Sequence, residues 1–378
     1  MRLLFILISV LVGFNCDAQP AVLNTADSLY SNGNYSKAID TYKTYSNQDE
    51  VSAKIAKAYV AIGTYDSALV YYKLAAETEP KNGLVLYEYA RLLSKTKNFE
   101  ASIEVFDNLM NIDYRNPNYH YEMGLALERM KDTTALNRFR SAYDLDQTHQ
   151  KAIYKIAKHF LIKRKHETSH RYIDKGLDSY ENNVELISLK AQNYYYQDDN
   201  HNARAWFEKL IAMGESSEFI HTKLSMLHAE FSDYELAIEQ RKLVLKYNAY
   251  SSESMLLIGS FYNRLKDYEN AEKYIRQSLD LKDVPLDYEY QLLGTVLNRQ
   301  DKHKEAIEAF QISLNENPDN ISSEFYILST KDKYYADVDS KIKLYEDFRD
   351  KYPETFYAKF VSRRIKELKE EKFINAED

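Results

Sequence analysis

Cysteine is nearly missing from this chain: Cys16 is the only one in 378 residues. No intrachain disulfide can form, and a metal site built on several thiolates is excluded. Proline and glycine are scarce as well, at 6 and 9. That speaks against an all-β chain rich in tight turns and for helices joined by short connections. The glycines are scattered, with no Gly-rich phosphate loop and no Gly-x-Ser-x-Gly elbow. Positive charge is not in surplus either. Lys and Arg number 50 against 58 Asp and Glu, a net charge of −8, so nothing electrostatic favours nucleic acid. Paired carboxylates such as Glu370-Glu371 fall on a charged helix face in water. No catalytic constellation and no cofactor motif emerges, and the chain reads as non-enzymatic.

Long apolar runs are confined to the start. Arg2 precedes the apolar stretch Leu3 to Phe14, and Cys16-Asp17-Ala18 offers small residues ahead of a cut before Gln19. Residues 1–18 therefore read as a secretory signal peptide. The stretch is shorter than the ~20 apolar residues that span a bilayer. No later stretch approaches that length, so the mature chain is expected to be soluble, with no transmembrane segment. Two outcomes stay open at Cys16. Cleavage after Ala18 leaves no cysteine, and acylation of Cys16 gives a lipid anchor, although Asn15 stands where lipoproteins carry a small residue. The start resembles signal peptides of Gram-negative envelope proteins, which implies a periplasmic or secreted protein, or alternatively an outer-membrane lipoprotein.

What is plentiful is a period. Hydrophobic residues make up 44% and Tyr alone numbers 34, enough to bury a core. With Asp49 as position 1 of a unit ending at Asn82, the spacing recurs every 34 residues. Position 8 is small: Ala26, Ala56, Ala90, Gly124, Ala157, Ala191, Ser225, Gly259, Gly294 and Ser329. Position 20 is small too, from Ala38 and Ala68 through Ser102, Ala135, Ser169, Ala203, Ala237 and Ala271 to Ala306, with Lys341 as the exception. Small residues at both places let two antiparallel helices cross closely. Larger apolar residues mark position 24, as in Tyr42, Tyr72, Phe106, Phe207 and Phe310, with Arg241 in the seventh unit. Pro80, Pro318 and Pro353 stand at position 32, where the second helix must stop.

This pattern resembles the tetratricopeptide repeat, a helix-turn-helix unit of 34 residues. The resemblance covers nearly all of the mature chain and implies an all-α fold, an α-solenoid coiled as a right-handed superhelix. Ten units are expected, at 19–48, 49–82, 83–116, 117–149, 150–183, 184–217, 218–251, 252–286, 287–321 and 322–354. Residues 355–378 form a C-terminal capping helix and tail, in which Phe356, Phe360 and Ile365 cover the last repeat. No linker interrupts the array, which reads as one domain.

In this family the first helices line a concave groove, at positions 2, 5, 9, 12 and 13. The family's carboxylate grip needs Lys at position 5, and no unit here has it. The middle of the groove is expected to be apolar and aromatic: Tyr154, Leu161 and Ile162 in the fifth unit, Tyr195 and Tyr196 in the sixth, Phe219 and Met226 in the seventh, with Lys158 and Gln192 as polar contacts. Arg91, Lys95 and Arg129 flank this patch on one side, Arg264 and Arg299 on the other. Grouped aromatics favour a peptide partner. The reading is a protein-interaction scaffold of the cell envelope; the alternative is a glycan- or nutrient-binding envelope protein. Among the histidines, His166 and His170 share a helical spacing with His159 nearby, but a turn filler and a surface residue explain the pair better than zinc. His221 and His228 fall at core positions.

Overall fold

A computed structural model of the protein describes residues 20–281, 286–334 and 337–374. The signal-peptide reading of residues 1–18 and the fate of Cys16 lie outside these residues. The described chain is helical throughout and contains no strand. It divides into two compact units, the first ending at Asn193 and the second beginning at Tyr194. The boundary falls inside a helix of the sixth repeat, where no linker composition marks it.

In the first unit, α1 (residues 20–31) pairs with α2 (Tyr35–Lys43), α3 (Gln48–Ala61) with α4 (Tyr65–Thr78), α5 (Gly83–Lys95) with α6 (Phe99–Ile112), α7 (Pro117–Arg129) with α8 (Ala135–Leu145), and α9 (Gln150–Ile162) with α10 (His166–Ser179). Most of α11 (Val184–Tyr195) follows. In the second unit come α12 (Asn200–Ala212), α13 (Glu218–Glu230), α14 (Tyr234–Tyr247), α15 (Ser252–Arg264), α16 (Tyr268–Leu279), α17 (Asp287–Arg299), α18 (His303–Glu316), α19 (Ile321–Tyr334), α20 (Val338–Lys351) and α21 (Tyr357–Ile374). Consecutive helices pack on one another from α2 to α10 in the first unit and from α12 to α21 in the second, so within each unit the pairs stack as a solenoid.

The turn inside each repeat is built one way. Position 15 takes a left-handed conformation in every described repeat up to the ninth: Gly33 and Gly63, then Lys97 (φ 66°), Lys131, Arg164, Asp198, Ser232, Lys266 and Asp301. The next backbone N–H then bonds five residues back, as Asn98 does to the Leu93 carbonyl at 2.8 Å. These bonds satisfy the carbonyls that the end of the first helix leaves open. Several first helices start on side-chain caps: Asn82 accepts from the Val85 N–H, Ser217 from Ile220 and Ser251 from Ser254.

His149 caps α9 in the same way, its Nδ1 accepting the Ala152 N–H at 3.1 Å while Nε2 faces Asn118 Oδ1 at 3.4 Å. Burial, reinforced by Lys151, holds the imidazole below its ordinary pKa of 6.5, against the pull of its own backbone and Asp146. Between the folded pKa and the unfolded value the unfolded chain binds more protons, so stability is full above ~6.5 and falls as the pH drops through the folded pKa. Protonation also removes the acceptor. We expect acidification to cost about 0.5–2 kcal/mol at this helix, the worth of a cap. His149→Asn, which keeps a capping oxygen, should flatten that part of the pH dependence. Urea midpoints between about pH 7.5 and 5.5 read it, and parallel pH curves for the two proteins would refute it.

The core follows the small and large positions. Ala26, Ala56, Ala90, Ala157 and Ala191 are fully buried at position 8, as are Ala38, Ala68, Ala203, Ala237, Ala271 and Ala306 at position 20. Where position 20 is Ser, its hydroxyl donates to the position 8 carbonyl: Ser102 to Ala90 at 2.8 Å, Ser169 to Ala157 at 2.9 Å. Ser225 reverses the bond, donating to Ala237 at 2.8 Å. Glycine at position 8 has a second cause. A methyl added at Gly124, Gly259 or Gly294 would sit 2.7 Å from the position 24 side chain, Phe139, Ile275 or Phe310.

The tenth repeat departs from the rule with a charge network. Lys341 stands in place of a small residue and lies 3.5 Å from Asp332, which also binds Arg364 Nε at 2.8 Å and the Tyr345 hydroxyl at 3.0 Å. These groups tie α19, α20 and α21 together. Ser329 is correspondingly only half-buried. The capping helix is turned from the expected face. Ile365 is buried with Val361 and Leu368 against Leu328, Ile342 and Phe348. Phe356 and Phe360, expected to cover the last repeat, are 78% and 44% exposed. The spacing 361, 365, 368 makes one continuous apolar stripe, and burying that stripe carries the two rings outward.

Candidate functional site

The first helices leave two surfaces whose residues the repeat core does not consume. In the first unit, α5, α7 and α9 frame a cleft of about 580 Å³ with Val60, Tyr72 and Phe99 among its lining residues. Five cations line it (Arg91, Lys95, Lys97, Arg129 and Lys155) against three carboxylates (Glu88, Glu122 and Glu128), a local positive surplus on an acidic chain. Lys155 is paired with Glu128, and Arg91 lies 3.7 Å from Glu122. Lys95 sits 4.4 Å over the Tyr65 ring. Among the described residues Lys97 and Arg129 have no ion-pair partner. Burial pushes the Glu122 carboxyl above its usual range, against Arg91, Lys151 and Tyr87, which favour its charged form.

In the second unit the corresponding face is aromatic. Tyr196, Phe219 and Met226 are 54%, 41% and 41% exposed. Tyr195 meets Tyr196 edge to face with ring centres 5.8 Å apart, and Phe219 meets the buried Phe207 at 6.0 Å. The Lys223 ammonium lies 4.1 Å from the Tyr195 ring centre and 5.9 Å from Phe219. A cation is thus held on an aromatic floor by its attraction to the ring faces. The surface offers apolar area and one positive charge.

The remaining expected groove residues lie in the first unit. Ile162 is exposed at 69%. Lys158 donates to the Tyr154 hydroxyl at 3.4 Å and sits over its ring. Gln192 bonds back to the Ser188 carbonyl and hydroxyl at 3.2 Å, which occupies its amide N–H groups within its own helix. Leu161 differs from the expectation. It is 6% exposed, packed with Ile153, Ala157, Ile173, Leu186 and Leu189, and presents no surface.

Position 6 is the place that sequence reasoning missed. It supplies Glu88, Glu122 and Lys155 to the cleft, and Lys223 to the aromatic face. The signal was available in helical spacing. Positions 2, 6, 9 and 13 are separated by four, three and four residues and form one stripe. Positions 5 and 12 belong to the neighbouring stripe, which explains the burial of Leu161.

The histidines are structural. His166 Nδ1, at the start of α10, meets Asn193 Oδ1 of α11 at 2.6 Å. His221 is buried and bonded to Gln240 and Ser216. His228 is buried, and burial holds its pKa below the ordinary value. Among the described residues no group of three or more His, Cys, Asp or Glu could hold a metal ion, and no helix is long and apolar enough to cross a membrane.

Residues 59–124 and 252–284 match family models of the tetratricopeptide repeat. The repeats in these two stretches are tetratricopeptide repeats. Among curated proteins the chain is similar to the TPR repeat-containing protein YpiA of Bacillus subtilis (strain 168), with 22% identity over 292 residues, 76% of this chain and 68% of YpiA. Among solved structures it is similar to the C-terminal part of a TPR repeat-containing protein from Cytophaga hutchinsonii, with 14% identity and a TM-score of 0.51 over 64% of this chain and 99% of that one. YrrB, described as a TPR protein with an unusual peptide-binding site, matches at 14% identity and a TM-score of 0.46 over 51% of this chain and 97% of its own. Tetratricopeptide-repeat proteins mediate protein–protein interaction.

Proposed function

We propose that the chain is a non-enzymatic scaffold of the bacterial cell envelope that holds a peptide or protein segment on the faces of its first helices. The observation that carries this reading is the aromatic face of the second unit. Three large side chains stay open there beside a lysine already seated on the rings. A rigid aromatic surface loses little conformational freedom on binding, and such residues dominate the energy of interfaces. The partner segment would bring apolar side chains to this face. In the first unit, Lys97 and Arg129 would favour carboxylates. The envelope location is supported by the N-terminal sequence, with its Arg2, apolar run and small residues before Gln19.

A photo-crosslinking residue at Met226, activated in native cells, should trap one dominant polypeptide identifiable by mass spectrometry. Tyr196→Ala with Phe219→Ala should lower capture of that polypeptide at least tenfold, about 1.4 kcal/mol, with helix content unchanged. Undiminished capture would remove the aromatic face as the main site. Binding to a sugar array with no trapped polypeptide would favour a glycan-binding protein instead.

A further inference from the structure

A chain of hydrogen bonds in the second unit contributes to neither surface described above. It starts at Ser216, in the connection between α12 and α13, and runs through α13 into α14. Ser216 Oγ lies 2.8 Å from His221 Nε2, and His221 Nδ1 lies 2.7 Å from Gln240 Oε1. The amide oxygen of Gln240 only accepts, so the imidazole carries its proton on Nδ1 and donates it there. Nε2 is then a lone-pair acceptor, and the Ser216 hydroxyl donates to it. With that proton committed, the Tyr247 hydroxyl, 2.8 Å from Oγ, donates to the serine oxygen. Helix geometry sets up the chain. His221 stands in the first turn of α13, where side chains lean toward the N-terminus and so back toward Ser216. Gln240 and Tyr247, seven residues apart, share one face of α14.

Burial divides these groups as nucleophilic chemistry requires. His221 is 4% exposed, whereas Ser216 is open to solvent. A hydroxyl within hydrogen-bond reach of a base, with a third group orienting that base, is the arrangement that activates a nucleophile. Donors for a developing oxyanion stand close in the chain. Ser217 caps the Ile220 N–H, and the His221 N–H goes to the Ser217 carbonyl. The Glu218 and Phe219 N–H groups, at the head of α13, have no intrahelical partner. We propose that Ser216 is acylated by neutral carboxylic esters with good leaving groups, with His221 as general base and Gln240 as its positioning residue. Oγ bonds to the ester carbonyl carbon while its proton passes to Nε2, and the carbonyl π pair moves onto oxygen. When that pair returns, the bond to the leaving group breaks, and the departing alkoxide takes the proton from Nε2. Ester and serine give acyl-serine and alcohol, with the imidazole restored. Glu215 and Glu218 flank Ser216 and disfavour anionic esters. Gln240 fixes the tautomer, as the carboxylate of a serine triad does, but adds no charge to stabilise the imidazolium. The product is a modification of the chain, independent of the partner-binding faces.

The purified protein treated with p-nitrophenyl acetate should acquire an acetyl group on Ser216, read by intact mass and peptide mapping. Ser216→Ala should remove that adduct and, the side chain being exposed, leave the circular dichroism spectrum unchanged. His221→Gln should slow acetylation of Ser216 about a hundredfold or more, the usual contribution of a general base. Gln240→Glu should speed it about tenfold or more, because a carboxylate stabilises the imidazolium as well as the tautomer. Unfolding would mimic the loss but not the gain, and a merely structural hydrogen bond would give no acceleration. Acetyl groups confined to lysines, an unchanged rate in His221→Gln, or a rate in Gln240→Glu no higher than that of the unaltered chain would each overturn the proposal.

Discussion

Phe310→Ala is expected to destabilise the ninth repeat by about 3–5 kcal/mol, the usual cost of deleting a buried ring. Phe310 is 1% exposed. Its ring fills the space between α17 and α18 and reaches the Tyr326 ring of the next repeat, 5.4 Å away centre to centre. Leu293, Val296, Leu297 and Ile327 pack around the same point. In a stack of repeats stability is close to a sum of unit and neighbour terms, so the loss should fall on the ninth and tenth repeats. Hydrogen exchange should show faster opening of α17 to α19, with little change in the first unit. The ring also dictates its neighbour. Gly294→Ala would place a methyl 2.7 Å from the Phe310 ring, and overpacking of this kind costs about 1–3 kcal/mol. In a Phe310→Leu background the cost should fall by more than about 0.5 kcal/mol, the sign of direct coupling. Additive effects in the double variant would show that Gly294 is required for some other reason.

Arg241→Met is expected to raise stability by about 1–3 kcal/mol, the desolvation cost of a buried polar group left without a partner. Arg241 takes position 24, where other repeats bury a ring or an aliphatic side chain. It is 2% exposed. Its Nε donates to the Ser225 hydroxyl at a long 3.4 Å, and Nη2 has no hydrogen-bond partner among the described residues. Burial holds the guanidinium below its usual pKa, opposed by the charge of Glu253. Methionine fills a similar length without a charge, and replacing buried charge by packed apolar groups is often stabilising. Ser225 would keep its bond to the Ala237 carbonyl. The urea midpoint of the second unit should rise. A fall would mean that the attraction to Glu253 outweighs the desolvation, and would make Arg241 a stabilising residue.

Much of the fold was legible because one rule is repeated. A small residue at 8, a small residue at 20 and a large one at 24 are local, periodic and tied to a single packing geometry. Each repeat therefore carries the same signal as the last. The site was less legible, since a groove residue is defined by what it does not touch. Lys223, Glu88 and Glu122 were passed over because position 6, which shares the stripe of positions 2, 9 and 13, was left out of the expected groove. Leu161 was misplaced because position 12, on the neighbouring stripe, was counted in it. The capping helix shows the limit most directly. Its sequence holds two possible apolar faces, one through Phe356 and Phe360 and one through Val361, Ile365 and Leu368, and periodicity alone does not rank them.

By itself the sequence determined the all-helical class, the period, and the turns that close each helix pair, because these depend on contacts within about 34 residues. Only the tertiary structure decided which stripe of each first helix meets solvent, that Arg241 is buried short of partners, and that α21 turns its phenylalanines outward. Those outcomes depend on how one helix is rotated against the next. The rotation is set by the sum of many small contacts across a whole surface, and no single spacing in the chain records it.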